Sequence, residues 1–598
     1  MDKSMREVKA SSAVQGDRVL DPITFEVLRN AIDSILDEMA LTIIRTARST
    51  IVRDAMDFAT SFFDADGQLL AQGLTLPFHL GGMPDALMAV RRLFGKDLAP
   101  GDVFILNDPF DGGSHLQDIF MFRPIFVGDA LAGFTASTAH HTDVGGRVPG
   151  SNASDSTEIY QEGLRIPPMR LYMAGRPVRD VFRLIEANVR VPEKVIGDLQ
   201  AQLNASQIGE RRFMELVERY GLALLLTYFH EVLDYSERVT RAEIKALPDG
   251  VYNFTDYLDD DGIDPDLIPI RVALNIRGDE LTVDLAGTAK QVRGAINATA
   301  SFTKSAVYVA IRSIMAAHVP NNAGFFRPIH VVAPPGTIVN AVLPASCAAR
   351  AITGYRVIDT LFGALAQAAG DRVFAAGEGG NTFITIAGGD STGAPYILVE
   401  PLIGAWGGRP DRDGIDGISP LATNIRNAST EAIEVEYPLR IERYGLVADS
   451  GGPGRFRGGM SVARDYRLLG PDALLQVRSD RRKKLPYGLF GGKSGKPSAN
   501  RIIGNGVRRT MPAKFIGMLR TNEVFSHVLP SAGGYGDPVE RDPERVLSDV
   551  RDEKVSRRGA QVDYGIVIKG RGQNLRIDPD ATRTLRAQLR TRGKENPV

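Results

Sequence analysis

The stretch VFILNDPFDGGSHLQDIFMFRPIFV, residues 103–127, sets two apolar runs, Val103 to Leu106 and Ile119 to Val127, on either side of a loop built from Asn, Asp, Gly and His. Short apolar runs bounded by turn residues predict strands. A third run, Leu131 to Ser137, follows, and the same pattern reaches back to Phe62 through the turn Asp64-Ala-Asp-Gly67. Helical spacing appears on both sides of this block. Asp21 followed by Pro22 reads as an N-cap with proline in the first turn. Phe25, Leu28, Ile32, Ile35, Met39 and Ile43 then recur at steps of three or four, which places one apolar stripe against a core. Val195 to Lys245 has the same periodicity and predicts two or three packed helices.

Beyond Leu247-Pro-Asp-Gly250 the pattern changes. Val272, Leu274 and Ile276, then Leu281, Val283 and Leu285, alternate with polar neighbours across Arg277-Gly-Asp-Glu280, which predicts a hairpin with one buried face. Glycine clusters at 377–380, 404–408, 449–459 and 488–495 then separate short apolar runs. The fold class is therefore α+β, with a mixed multi-layer architecture: an N-terminal half of helices and strands and a β-rich, Gly-rich C-terminal half. The expected divisions are a polar leader (1–20), an N-terminal α/β region with the candidate metal site (21–248), a β-rich region (249–540) and a charged C-terminal extension (541–598). That extension carries 14 basic and 9 acidic residues, a density suited to exposed helices or a mobile tail.

A length of 598 residues predicts several domains, and 43% hydrophobic with 24% charged residues is an ordinary globular composition. Lys plus Arg total 71 against 72 Asp plus Glu, so a net charge of -1 supplies no field for polyanions or anionic lipid. Nucleic acid and membrane are not expected as partners. A single cysteine, Cys347, rules out internal disulfides and a cysteine-based metal centre, and leaves His, Asp and Glu as metal ligands. Cys347 itself lies among small residues that suit close packing. No apolar targeting segment opens the sequence and no run approaches ~18 apolar residues, so a cytoplasmic location is expected.

Four of the eight histidines, His79, His115, His140 and His141, fall within 63 consecutive residues, just outside the expected strands and in the company of Asp118 and Asp143. Loops at strand ends can converge side chains on one point, and a first-row divalent metal takes two or three such ligands with a position left open. His115, Asp118 and His140 form a 2-His-1-carboxylate set, with His79 as a possible fourth ligand. The competing reading is that these residues cap turns, which use the same letters. Other motifs fail on spacing. Gly488 to Ser494 resembles a P-loop, but Tyr487 stands where the first glycine is required, so a glycine turn between strands, with Arg481 to Lys484 before it as a solvated basic run, is expected instead. Asp259 to Asp266 is not an EF-hand, since Tyr257 and Ile268 occupy its first and last ligand positions, and a solvated loop is expected instead. Ser450 in Asp-Ser-Gly-Gly-Pro resembles a serine protease nucleophile, but it lies 310 residues from His140.

Taken together, Asn107-Asp-Pro-Phe through His115-Leu-Gln-Asp118, Ala139-His-His-Thr-Asp-Val-Gly-Gly146, Ser156-Thr-Glu-Ile-Tyr-Gln-Glu-Gly163, Asn322-Ala-Gly-Phe-Phe-Arg-Pro328, Ser450 to Gly459 and Ala532 to Arg545 resemble the hydantoinase B family. That family holds the B subunits of ATP-dependent N-methylhydantoinases, the matching half of 5-oxoprolinase, and related subunits of acetone and acetophenone carboxylases. The resemblance implies a subunit of an ATP-dependent cyclic amide hydrolase. A hydantoinase A-like partner of kinase fold binds ATP and phosphorylates the carbonyl oxygen of a small cyclic amide. This chain then processes the activated species at a divalent metal (Zn, Mn, Fe or Mg) held by His115, Asp118 and His140. His141 and Asp143 are the candidate catalytic residues, Asn107 and Asp108 the candidate substrate-binding residues, and the glycine loops candidate donors to the phosphate. The alternatives are a subunit of an ATP-dependent ketone carboxylase and, from another class, a non-catalytic assembly subunit.

Overall fold

Helix α1 runs from Pro22 to Thr46 in the computed structural model, which describes residues 20–73, 76–315 and 319–595; nearly all of the polar leader, residues 1–19, lies outside the described residues. The Asp21 carboxylate accepts from the backbone N–H groups of Ile23 and Thr24, fixing the start that the sequence predicts, and Leu28, Ile32, Ile35, Met39 and Ile43 are buried. Strands β1 (Phe58–Asp64) and β2 (Leu69–Gln72), helix α2 (Gly82–Phe94), then β3 (Val103–Leu106), β4 (Asp118–Val127), β5 (Ala130–His140), β6 (Met169–Met173) and β7 (Arg176–Pro177) follow. The strands form one antiparallel sheet in the order β2-β1-β5-β4-β3-β6-β7.

The strand runs are continuously apolar because both faces of this sheet are covered. Side chains alternate between faces, and the alternation is visible in the cores: Phe104, Leu106, Phe120 and Phe122 join one, Val103, Ile105, Ile119 and Met121 another. Helices α3 (Arg179–Asn188), α4 (Pro192–Tyr220) and α5 (Leu222–Lys245) follow the sheet. Ala201, Ala205 and Phe213 of α4 join α1 in the core that takes Phe58 and Phe62 of β1. Gly221, at φ 78°, separates α4 from α5, so the region of helical periodicity holds two long helices.

Strands β8 (Gly250–Leu258), β9 (Ile268–Arg277) and β10 (Glu280–Asp284) contain the expected hairpin, β9 to β10, turning at Gly278. Helix α6 (Ala300–Ser313), strand β11 (Ile329–Val332) and helix α7 (Arg350–Leu365) come next. The small sheet has the order β11-β10-β9-β8, with β11 parallel to β10. Every residue of α7 except Ala351 is buried. One apolar core takes side chains from β1, β4, β9, α6 and α7, so packing is continuous across residue 248.

The remaining strands, β12 (Thr382–Gly389), β13 (Pro395–Leu402), β14 (Leu439–Leu446), β15 (Val462–Leu468), β16 (Ala473–Arg478), β17 (Ala499–Gly504), β18 (Val507–Met511), β19 (Lys514–Leu519) and β20 (Val524–Val528), form two sheets. Their orders are β13-β12-β16-β19 and β14-β15-β20-β17-β18, and both contribute to a common core around Ile386, Leu475, Tyr466 and Phe525. The α+β class and the β-rich second half thus agree with the structure.

Three expectations are corrected. The charged C-terminal extension is a folded unit: Val546, Leu547, Ala560, Tyr564 and Ile566 form a small core, and buried Arg541 donates to Asp413 and Asp549. The acidic loop is solvated only in its second half, where residues 264–267 are exposed, whereas Asp259 is buried and accepts from the backbone N–H groups of Arg482, Lys483 and Lys484. The basic run is likewise anchored by buried Arg481, which pairs with Asp256 and Asp359. Opposite charges distant in sequence neutralise each other inside, an arrangement that local composition does not encode. Among the described residues, no helix is long and apolar enough to cross a membrane.

Candidate functional site

The antiparallel register of β4 and β5 sets Asp118, the first residue of one strand, opposite His140, the last of the other. His115 lies three residues upstream, where its carbonyl accepts the Asp118 N–H at 3.1 Å. His79 closes a short 3-10 turn, Pro77–His79. All four side chains are buried to 1% exposure or less. His115 Nδ1 lies 3.0 Å and His79 Nε2 3.4 Å from Asp118 Oδ2, and the His115 and His140 rings are 4.9 Å apart between centroids. Neither nitrogen of His79, His115 or His140 is aligned in a hydrogen bond, nor is Asp118 Oδ1. Six buried imidazole nitrogens without an aligned hydrogen bond, four of them without any polar contact to Asp118, are a costly arrangement for a protein interior.

Burial, reinforced by the Arg350 charge and only partly opposed by Asp118, pulls the His115 pKa down to about 3. Burial and then His115 push His140 well below its ordinary value. Both imidazoles are therefore neutral, the form that ligates metal. Burial acts to raise the Asp118 carboxyl, but His115 and Arg350 outweigh it and hold the group well below the usual carboxylate range. Among the described residues, no group of three or more His, Cys, Asp or Glu side chains is arranged so as to hold a metal ion as it stands; the contacts run pairwise through Asp118. The donor chemistry nonetheless fits a divalent first-row cation, since no nitrogen of the three imidazoles, nor Asp118 Oδ1, is aligned in a hydrogen bond.

Residues that no motif indicated complete the cluster. Arg350, at the start of α7, donates from Nη2 to Asp118 Oδ2 at 2.7 Å and from Nε to Ser114 Oγ at 2.8 Å. Asp57, just before β1, accepts the His140 N–H on its carbonyl at 3.0 Å, and burial, then the Asp118 charge, raises its carboxyl pKa to about 7. Phe383 of β12 places its ring 5.7 Å from that of His140, and the Arg478 guanidinium lies 4.0 Å above Phe383. These residues arrive from four different elements. The only local hint was a charged residue placed directly against an apolar strand or helix.

Other expected site residues hold loops. Asn107 donates to the carbonyls of Leu116 and Leu164 and accepts the Ile166 N–H, fastening the His115 loop to the chain after Gly163. Asp108 caps the turn at Phe110 and pairs with Arg165. Asp143 accepts from the N–H groups of Gly145, Gly150 and Arg190 and from the Arg190 guanidinium. His141 is buried beside the cluster with Nε2 3.1 Å from Gln202 Oε1, while its Nδ1 has no partner. The glycine loops turn their donors on one another. Gly452, Gly534 and Gly536 donate to Ala532, Lys493 and Leu489, and a Cβ at Gly458 would sit 2.1 Å from the Ala532 carbonyl oxygen.

The family model described as Hydantoinase B/oxoprolinase matches residues 21–538. The chain belongs to the hydantoinase B/oxoprolinase family. It is 36% identical to the caprolactamase subunit beta of Pseudomonas jessenii over 582 residues, covering 95% of this chain and 99% of that one. The crystal structure of the ATP-dependent caprolactamase from the same organism superposes with a TM-score of 0.90 at 34% identity, over 95% of this chain and 100% of that chain. Acetone carboxylase in its nucleotide-free structure shares the fold, with a TM-score of 0.90 at 18% identity, over 100% of this chain and 87% of that chain.

Proposed function

We propose that this chain is the hydrolytic subunit of an ATP-dependent cyclic amide hydrolase. It receives a carbonyl-phosphorylated cyclic amide from a hydantoinase A-like partner of kinase fold, and His115, Asp118 and His140, with His79 beside them, hold a divalent cation. The observation that carries this reading is the set of six buried imidazole nitrogens around Asp118, none in an aligned hydrogen bond, in a chain similar over nearly its whole length to a caprolactamase subunit. When bound, such a cation supplies Lewis acidity and lowers the pKa of water.

An amide carbonyl is a poor electrophile, and phosphorylating its oxygen corrects that. Water adds to the carbon, the C–N bond breaks and the ring nitrogen leaves as the amine. A second water then hydrolyses the resulting acyl phosphate, releasing inorganic phosphate and the open-chain acid. Burial of the cluster excludes bulk water from the activated species. His141 Nδ1 and the Asp57 carboxyl are the groups of this chain beside the cluster through which protons would move, whereas Asp143 is occupied by its loop.

The test is a reconstitution of the purified chain with a kinase-fold partner, ATP and a panel of lactams, with and without bicarbonate. The expected result is open-chain product only when both chains and ATP are present, unaffected by bicarbonate. A bicarbonate requirement, with a carboxylated ketone as product, would move the protein to the carboxylase class.

A further inference from the structure

Of the seven arginines buried among the described residues, six pair with a carboxylate, among them Arg350 with Asp118 and Arg464 with Glu400, each at 2.7 Å. Arg478 is the exception. It ends β16 directly opposite Phe383 on β12, places its guanidinium over that ring, and donates from Nη1 to the Ala348 carbonyl. Its Nη2 is buried and has no partner. A guanidinium removed from water without a counter-ion is strongly unfavourable unless an anion arrives to meet it.

The surrounding charges leave that role open. Arg350, Asp57, Glu162 and Asp118 all act on Arg478, and burial followed by the Arg350 charge lowers its pKa to about 9, so it remains a cation at neutral pH. Asp57 forms no ion pair with Arg478, and the other two anions are otherwise placed. Asp118 is held by Arg350, and Glu162 accepts from the Ser346 hydroxyl and the N–H groups of Cys347 and Ala348. The glycine loops, the other source of donors for a phosphate, have closed on themselves. Phe383 is common to Arg478 and the cluster: its ring centroid lies 4.0 Å from the Arg478 guanidinium and 5.7 Å from the His140 ring.

We infer that Arg478 is the phosphoryl-binding residue of this chain, receiving a tetrahedral, doubly charged oxyanion beside Arg350 at the His115–Asp118–His140 cluster. The source of that group, the activated cyclic amide or the phosphate released from it, rests on the function proposed above; the anion site itself rests on Arg478. A planar guanidinium suits the task because it can engage two phosphoryl oxygens at once.

The experiment compares wild type, Arg478→Gln and Arg478→Lys as full-length chains, following thermal unfolding and calorimetric binding with inorganic phosphate against chloride or acetate at equal ionic strength. Phosphate should stabilise the wild type more than either control. Arg478→Gln should lose at least ~10-fold in phosphate affinity and Arg478→Lys less, as a point charge in place of a fork. Without phosphate, Arg478→Gln should melt no lower than wild type, since an uncompensated cation has gone. Phosphate affinity unchanged in Arg478→Gln, acetate acting as well as phosphate, or no response in wild type would each overturn the inference. In the two-chain complex, Arg478→Gln that weakens product inhibition by phosphate at unchanged kcat identifies released phosphate as the occupant, and a fall in kcat identifies the phosphorylated intermediate. Because phosphate binding needs no turnover, an Arg478-dependent response in a complex that cleaves no cyclic amide would defeat the proposed function alone, and turnover without that response would defeat this inference alone.

Discussion

Asp118 is contested by three neighbours: His115, His79 and Arg350 all approach Oδ2, while Oδ1 and the other four imidazole nitrogens find no partner. An interior tolerates that only if something else satisfies the group. Replacing His115 or His140 by Ala, or Asp118 by Asn, should lower metal content and turnover of the two-chain complex together, each by on the order of 100-fold or more, while circular dichroism stays native because these residues sit at strand ends. His115→Ala with stoichiometric metal and normal turnover would return the cluster to a structural role. Glu162 supplies a second test. Burial outweighs its three donors and raises its pKa to about 7 from 4.5, so between those values the folded state binds more protons than the unfolded chain. The stability that protonated Glu162 contributes is complete below about 4.5 and is lost as pH rises to about 7. Glu162→Gln keeps the acceptor for the Cys347 and Ala348 N–H groups without titrating. Its melting temperature relative to wild type should therefore climb from pH 4.5 to pH 7. A difference that is flat with pH would show that Glu162 does not titrate in that window.

At the scale of elements, the glycine clusters and the strand ends show where local sequence informs and where it stops. The apolar runs of β3, β4 and β5 were legible because a strand covered on both faces needs no polar alternation, and the His115-Leu-Gln-Asp118 and His140 positions were legible because they sit at the ends of those runs. Arg350, Arg478, Asp57 and Phe383 were not, since only tertiary packing brings α7, β16, β12 and the approach to β1 together. The same limit applies to Asp143, which clamps a Gly-rich loop here: the letters of such an aspartate are those of one that handles protons. Glycines at 458 and 533 matter for closeness, as a Cβ would stand 2.1 Å from the Ala532 oxygen and 2.0 Å from the Tyr487 oxygen. Gly458→Ala and Gly533→Ala should each destabilise the chain by about 1–3 kcal/mol or more in denaturant unfolding. Gly445→Ala, in the exposed part of β14 with open space at its Cβ, should stay within about 0.5 kcal/mol of wild type. Equal effects at all three positions would mean that loop interleaving is not what requires glycine.

For the whole molecule, the proposed division of labour with a kinase-fold partner turns on whether this chain can use ATP by itself. The loop from Gly488 to Gly495 is the only segment whose sequence approaches a P-loop, and four of its backbone donors are engaged. Leu489 N–H bonds to the Gly534 carbonyl at 3.0 Å, Gly492 to Leu489 at 2.9 Å, Lys493 to Pro453 at 2.7 Å and Gly495 to Pro486 at 2.9 Å. A phosphate-binding loop works by leaving such N–H groups pointing at the ligand at a helix N-terminus; here no helix follows, since the chain runs on into β17. The Lys493 ammonium lies 3.5 Å from Asp563 of the C-terminal unit, away from the His–Asp cluster. Calorimetry of the isolated chain with Mg-ATP should therefore show no binding at micromolar concentrations and no ATP hydrolysis, and both should appear when the partner is added. Lys493→Ala should leave ATP use by the complex unchanged, whereas Asp118→Asn should abolish product while ATP consumption on the partner continues at a measurable rate. Micromolar ATP binding by the single chain, lost in Lys493→Ala, would place the nucleotide on this subunit and remove the reason for a kinase-fold partner.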